Sequence, residues 1–176
     1  MSYYNGDFEW SQQQFKILKS ATTKLISNDA IDRSIFILDN LGLVTTDVPL
    51  KMYAEAELFM YQNKYDEAQV KLKEIEVQFP EHGLKDDLLY LRAQIYKRTK
   101  ETDLAIETYE DIIENHKEEI RCDNALMELA ELYHYQIKDL EKAQKLYEQL
   151  FLDFSSSTFS VEARKRFRII RGDEVQ

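Results

Sequence analysis

The sequence predicts an all-α chain: a right-handed α-solenoid of antiparallel helix pairs, with about three full repeats and partial repeats at both ends. Three observations carry that expectation. Only four glycines and two prolines occur in 176 residues, which favours long uninterrupted helices over strands and tight turns. Aliphatic and aromatic residues make up 44%, enough for a continuous core. Above all, one pattern returns at a fixed interval: an alanine, two residues, an aromatic, then a second alanine that opens a second helix.

The three copies run from Ala56 to Phe59 and on to Ala68, from Ala93 to Tyr96 and on to Ala105, and from Ala130 to Tyr133 and on to Ala143. The first alanines are spaced 37 and 37 residues apart, and the second 37 and 38. Two helices approach to about 8–10 Å only where the side chains at their crossing are small. These alanines supply that, and the aromatics fill the space beside the crossing. Each second helix continues with Leu72, Tyr109 or Tyr147, then Ile75, Ile112 or Leu150. That i, i+4, i+7 spacing is one apolar helix face.

The pattern resembles the tetratricopeptide repeat, whose small–aromatic–alanine–aromatic–alanine skeleton these residues occupy in order over about residues 48–154. Pro80 matches the proline that commonly closes such a unit. The repeats depart from the pattern in running about three residues beyond the usual ~34, in lacking that proline in the later two, and in replacing the favoured glycine by alanine. The third also has an extra residue in its internal turn, Gln136 to Asp139. These departures bear on the angle between repeats rather than on helix pairing.

The chain therefore divides into partial, degenerate helices over 1–47, repeats over 48–83, 84–120 and 121–155, and a capping helix over 156–176. Gly6-Asp7-Phe8 followed by Ser11, Phe15 and Leu18 resembles an internal turn and second helix without its first helix. The chain is accordingly expected to be the C-terminal part of a longer array. A helix is expected over 28–40, capped by Asn28 or Asp29 and ended by Gly42. Pro49 follows near the next helix start, where a missing N–H is harmless. Ser155 to Thr158 lead into a last helix containing Ala163 and Phe167, which covers the end of the core as a solenoid terminus requires.

A net charge of −10 repels phosphate backbones and argues against a nucleic-acid partner. The charge is uneven. Arg164, Lys165, Arg166, Arg168 and Arg171 cluster near the C-terminus, while residues 1–163 hold 18 basic against 31 acidic groups, a net of −13. That basic end would either seat against a further helix pair or a neighbouring copy, or serve as the charged outer face of a cap. The lone Cys122 excludes an intrachain disulfide. No apolar run approaches the ~20 residues needed to span a bilayer, and Tyr3 to Asp7 show no signal-peptide pattern.

In tetratricopeptide repeat proteins the first helices line a concave groove that receives extended or helical partner segments. The resemblance, counted from Pro49, Asp86 and Asp123, implies a groove wall of four rows. These are Tyr53, Tyr90 and Met127; Glu57, Gln94 and Glu131; Met60, Lys97 and His134; and Tyr61, Arg98 and Tyr135. Tyrosine, methionine and arginine suit interface hot spots, although Tyr53, Tyr90 and Met127 equally suit packing among their own helices. The two-carboxylate clamp of chaperone adaptors is absent: its places hold Tyr53, Glu57, Leu91, Asn124 and Glu128, and the glutamates would repel an acidic tail.

No catalytic residues, metal site or cofactor are expected. His82, His116 and His134 are scattered without metal-ligand spacing, and His82, beside Gly83 in a turn, reads as solvated. No glycine-rich phosphate loop occurs. Asp86-Asp87 and Glu118-Glu119 stand near helix starts, where acids complement the dipole. The expected function is a non-catalytic protein–protein interaction scaffold holding a peptide or helix of an unidentified partner. The alternatives are a homo-oligomerising module, joined through the N-terminal helices with Phe8, Trp10 and Phe15, or a docking arm of a larger enzyme or sensor. The repeat length and the ending Ser160 to Arg166 are similar to bacterial cell-envelope tetratricopeptide repeat proteins. That resemblance implies a periplasmic or envelope complex; without it the cytoplasm is expected.

Overall fold

The computed structural model describes residues 2–21, 24–41 and 46–173, and over them the chain forms nine α-helices and no strand. They are α1 (Phe8–Ala21), α2 (Lys24–Leu41), α3 (Val48–Tyr61), α4 (Tyr65–Gln78), α5 (Lys85–Thr99), α6 (Thr102–Asn115), α7 (Cys122–Glu131), α8 (Leu140–Asp153) and α9 (Ser160–Arg171). A 3₁₀ turn, Tyr3–Asn5, precedes α1, and a π-helical stretch, Leu132–Ile137, prolongs α7. Two compact units result, Met1–Leu91 and Arg92–Gln176. In the first, α1 packs on α2, α3 on α4, and the 3₁₀ turn on α3. In the second, α6 packs on α7, α7 on α8, and α8 on α9.

The recurrent alanines account for this packing. Ala56, Ala68, Ala93, Ala105, Ala130 and Ala143 are all fully buried, and so are the six large residues that follow on the second helices. Ala163 is buried in the same way on α9. The chain is thus an all-α helical-repeat fold, with its small side chains where helices meet.

The internal turns share one backbone device. Asn63, Lys100 and Lys138 all adopt positive φ, at 59°, 67° and 65°, and Gly6 does so at 74°. In the first two hairpins the next residue closes the turn through a hydrogen bond five residues back, Lys64 N to Phe59 O and Glu101 N to Tyr96 O, each 2.9 Å. Asp7 N to Ser2 O, at 3.0 Å, repeats it before α1. This is the Schellman ending of a helix, whose left-handed residue is usually glycine. At Gly6 an added Cβ would also come 2.8 Å from Lys51 Cε. Left-handed geometry costs an ordinary L-residue roughly 1–2 kcal/mol, part of which glycine gives back as chain entropy. Lys100→Gly is therefore expected to raise stability by about 0.5–1 kcal/mol, read as a higher urea midpoint. An unchanged or lower midpoint contradicts the account.

The extra residue of the third repeat is absorbed before its turn. The first helix widens into the π stretch Leu132–Ile137, and Lys138 at the corner keeps the left-handed φ of the other turns; π-bulges of this kind take up local strain within a helix. Asp139 then caps α8 by accepting from Lys142 N at 3.0 Å.

One local expectation changes. Asn28 and Asp29 lie inside α2, which starts at Lys24. Their low helix propensity is a penalty of only tenths of a kcal/mol, too small to start the helix there. Gly42, the expected end of that helix, and Val44 beyond it lie outside the described residues. Pro49 occupies the first turn of α3 behind Asp47, as anticipated.

Candidate functional site

In the first unit, the wall positions lie on α3 and the start of α5. Tyr53, Glu57 and Met60 are buried, Tyr90 is half-buried, and Tyr61 is about half exposed at 51%. Tyr53 packs its ring 5.0 Å from that of Phe36. Glu57 accepts both terminal N–H groups of Arg33, each at 2.8 Å, and the guanidinium lies 4.9 Å over the Tyr3 ring. Bidentate pairing of this kind is arginine's particular strength. Tyr4, on the 3₁₀ turn, meets Tyr61 edge-on at 6.3 Å. Burial, and after it the Glu57 carboxylate, holds the Tyr4 phenol well above its ordinary range.

Sequence reasoning missed Arg33 and Tyr4. Arg33 is the only arginine before Arg92, and a lone arginine among lysines is the available signal for a planar, partly buried ion pair. Asp86 and Asp87 do stand in the first turn of α5. They are nonetheless buried, and Asp87 accepts from Asn40 Nδ2 at 3.0 Å.

In the second unit, Gln94, Lys97 and Arg98 of α5 converge with Glu128 of α7 and Gln136 of the π stretch on an open cleft of about 280 Å³. Lys97 donates to Glu128 in its wall. Met127 is buried, at 6% exposure, whereas Tyr135 is 56% exposed. Glu131 accepts from Arg166 Nη1 at 2.6 Å, Glu162 from Arg166 Nε at 2.8 Å, and the Tyr147 hydroxyl from Arg166 Nη1 at 3.3 Å. His134 stacks on Tyr135 with centroids 4.1 Å apart, and its Nδ1 lies 3.4 Å from the Tyr147 hydroxyl. Arg166 thus ties α7, α8 and α9 together, a role for the basic C-terminal cluster that its charge alone did not reveal.

The ion pairs amend the electrostatic reading. Glu57 and Glu128 are matched by Arg33 and Lys97, so they do not present the bare negative charge expected of them. The residue types of the carboxylate clamp are still lacking at those places. His82 is half-buried rather than solvated, and both ring nitrogens are covered without a hydrogen-bond partner among the described residues.

Burial pushes the His82 pKa down, and burial followed by the Arg166 charge does the same at His134, against an opposing pull from Glu131. The unfolded chain therefore takes up these protons first, and stability falls as pH drops from the ordinary histidine value toward the lowered ones. Urea midpoints are expected to decline between about pH 7 and pH 5.5, and the double variant His82→Gln/His134→Gln is expected to flatten that decline. An equal decline in the variant removes the histidines as its cause. Burial, with Asp123 beside it, raises the Cys122 thiol to about 11, which leaves it protonated and unreactive.

Among family models, that of the tetratricopeptide repeat matches residues 87–118, the stretch from the first turn of α5 to just beyond α6. No curated protein matches the chain.

Proposed function

We propose, from the premise that this chain carries the tetratricopeptide repeat, a protein-interaction repeat, that it is a non-catalytic scaffold whose first helices hold a segment of a partner protein. The observation that supports this most is the cleft of the second unit. Three of the wall residues, Gln94, Lys97 and Arg98, line it together with Glu128 and Gln136. Amide and charged groups of both signs at the rim of an open cleft suit the polar backbone and side chains of an extended segment. Tyr135 adds an exposed ring in the second unit, and Tyr61 does so in the first. Tyr53, Glu57, Met60, Met127 and Glu131 act beneath that surface, fixing the wall rather than touching the partner.

Affinity capture from the source organism's lysate tests the reading. Arg98→Glu is expected to weaken retention of the captured protein about tenfold, and Tyr90→Ala to weaken it less, with the helical circular dichroism signal unchanged. Equal retention by both variants rejects the wall.

A second reading, association of copies through α1, keeps one support and loses another. Phe8 is buried at 4% exposure, so it is unavailable, but Trp10 and Ile17, seven residues apart on one face, are exposed at 51% and 60%. Loss of light-scattering mass on Trp10→Ala would favour it. A bacterial envelope location rests on the C-terminal resemblance, and cell fractionation that finds the protein only in the cytosol removes it. No described helix is long and apolar enough to cross a membrane.

A further inference from the structure

The second unit carries an apolar-floored slot and a helix face of complementary character. The slot, about 280 Å³ in volume, opens between α6 and α8, with Leu129 of α7 and Tyr133 of the π-helical stretch on its floor and Glu110 and Glu114 on its α6 wall. Those two acids continue a ridge along α6, Asp103, Glu107, Glu110 and Glu114, all exposed. None of the four is in direct salt-bridge contact with a described residue, although Glu110 is close enough to Lys142 to help raise its pKa. The lysines of the opposite wall are engaged within the chain: Lys142 lies 4.8 Å over the Tyr133 ring, and Lys145 pairs with Glu141 at 2.7 Å. The four acids along α6 outnumber the two lysines of the α8 wall, so the α6 side of the slot is acidic.

The matching face is the outward side of α9. This helix turns Ala163 and Phe167 toward α8, with Phe167 5.4 Å from the Phe151 ring. The opposite side exposes Val161 at 71% and Ile169 at 51%, with Arg164, Lys165 and Arg168 exposed between them. Arg164 lies over Phe151 at 5.2 Å, and Arg168 pairs with Asp173 at 3.6 Å. Apolar side chains flanked by cations are the chemistry that an apolar floor beside an acidic ridge would take. Arg164 and Arg168 are four residues apart, as are Glu110 and Glu114, and such pairs lie on one helix face.

We infer that α9 of one copy docks into the α6–α8 slot of a second copy, an apolar residue of α9 entering the slot and Arg164 and Arg168 meeting Glu110 and Glu114. The occupant is another molecule because α9 has its back to its own core. The joint unites two different surfaces, so it is heterologous, and it extends beyond a pair unless geometry closes a ring. It is separate from the partner-holding wall on α5 and stands or falls without it.

Sedimentation velocity on the whole chain, from low micromolar to near-millimolar concentration, tests this. Association is expected at low salt and is expected to weaken about tenfold at high salt, because exposed ion pairs are screened. Arg164→Glu/Arg168→Glu and Glu110→Lys/Glu114→Lys should each sediment as monomers, while their equimolar mixture should associate through the exchanged charges. Lys165→Glu/Arg168→Glu, which leaves the Arg164–Phe151 contact intact, replaces the first variant if circular dichroism shows it misfolded. A wild-type chain that stays monomeric at the highest concentration overturns the inference, as does a mixture that stays monomeric. Association that survives both charge reversals but not Trp10→Ala overturns it in favour of the α1 contact.

Discussion

Arg33→Ala is expected to destabilise the first unit by about 2–3 kcal/mol. Removing one partner of a buried pair typically costs about 3–5 kcal/mol, because the other charge is left behind without compensation. Here the Arg33 side chain keeps 24% of its exposure and that of Glu57 only 7%, so some water reaches the pair and the lower figure applies. The loss also removes the cation resting over Tyr3 and Phe36, each such contact contributing about 0.5–1 kcal/mol when partly exposed. Trp10 on α1 is the only tryptophan and lies in this unit, so its fluorescence during urea unfolding reads the change directly. Arg33→Met/Glu57→Leu is expected to regain most of the stability, since an apolar pair leaves no uncompensated charge. A single-variant loss below about 0.5 kcal/mol would mean that the pair contributes no more than an ordinary surface ion pair.

Ala143→Leu is expected to cost the second unit about 1–3 kcal/mol, the usual penalty for overfilling a packed core. Leucine is nearly as good a helix former as alanine, so the loss reports packing alone. Ala143 is fully buried on α8, whose faces meet α7 and α9. The control is Gln144→Leu, one residue on and half-buried, where the same side chain is tolerated. Buried Cys122 supplies the readout: its thiol reacts with an aromatic disulfide reagent only on opening of this unit, and Ala143→Leu should accelerate labelling several-fold. Equal labelling rates in the two variants would dismiss the crowded crossing.

The helix pairs were legible because their cause is short-range and periodic. Alanines 37 residues apart needed no partner information to be read as crossings, and every one is buried. The proline at the start of α3 and the serine-rich entry to α9 were legible for the same reason, since local backbone chemistry fixes them. Charge partners were not. Glu57 finds Arg33 24 residues earlier, and Glu131 finds Arg166 35 residues later, and no local rule links such positions. Without those arginines the glutamates looked like bare groove charge. Tyr4 was hidden likewise, since only the docking of the 3₁₀ turn on α3 brings it to Tyr61. The third hairpin shows the converse: its surplus residue was visible in the sequence, but whether corner or rod would take it depended on which deforms more easily.

That the rod took it has a practical side. Three corners that share one left-handed residue serve as common joints, and the surplus residue is taken up in the arm ahead of the third. A hairpin from one position can be spliced behind another by cutting at Asn63, Lys100 or Lys138, with no redesign of the bend. Deletions aimed at shortening this chain are best taken from the widened turn ahead of Lys138, where one residue fewer restores ordinary winding.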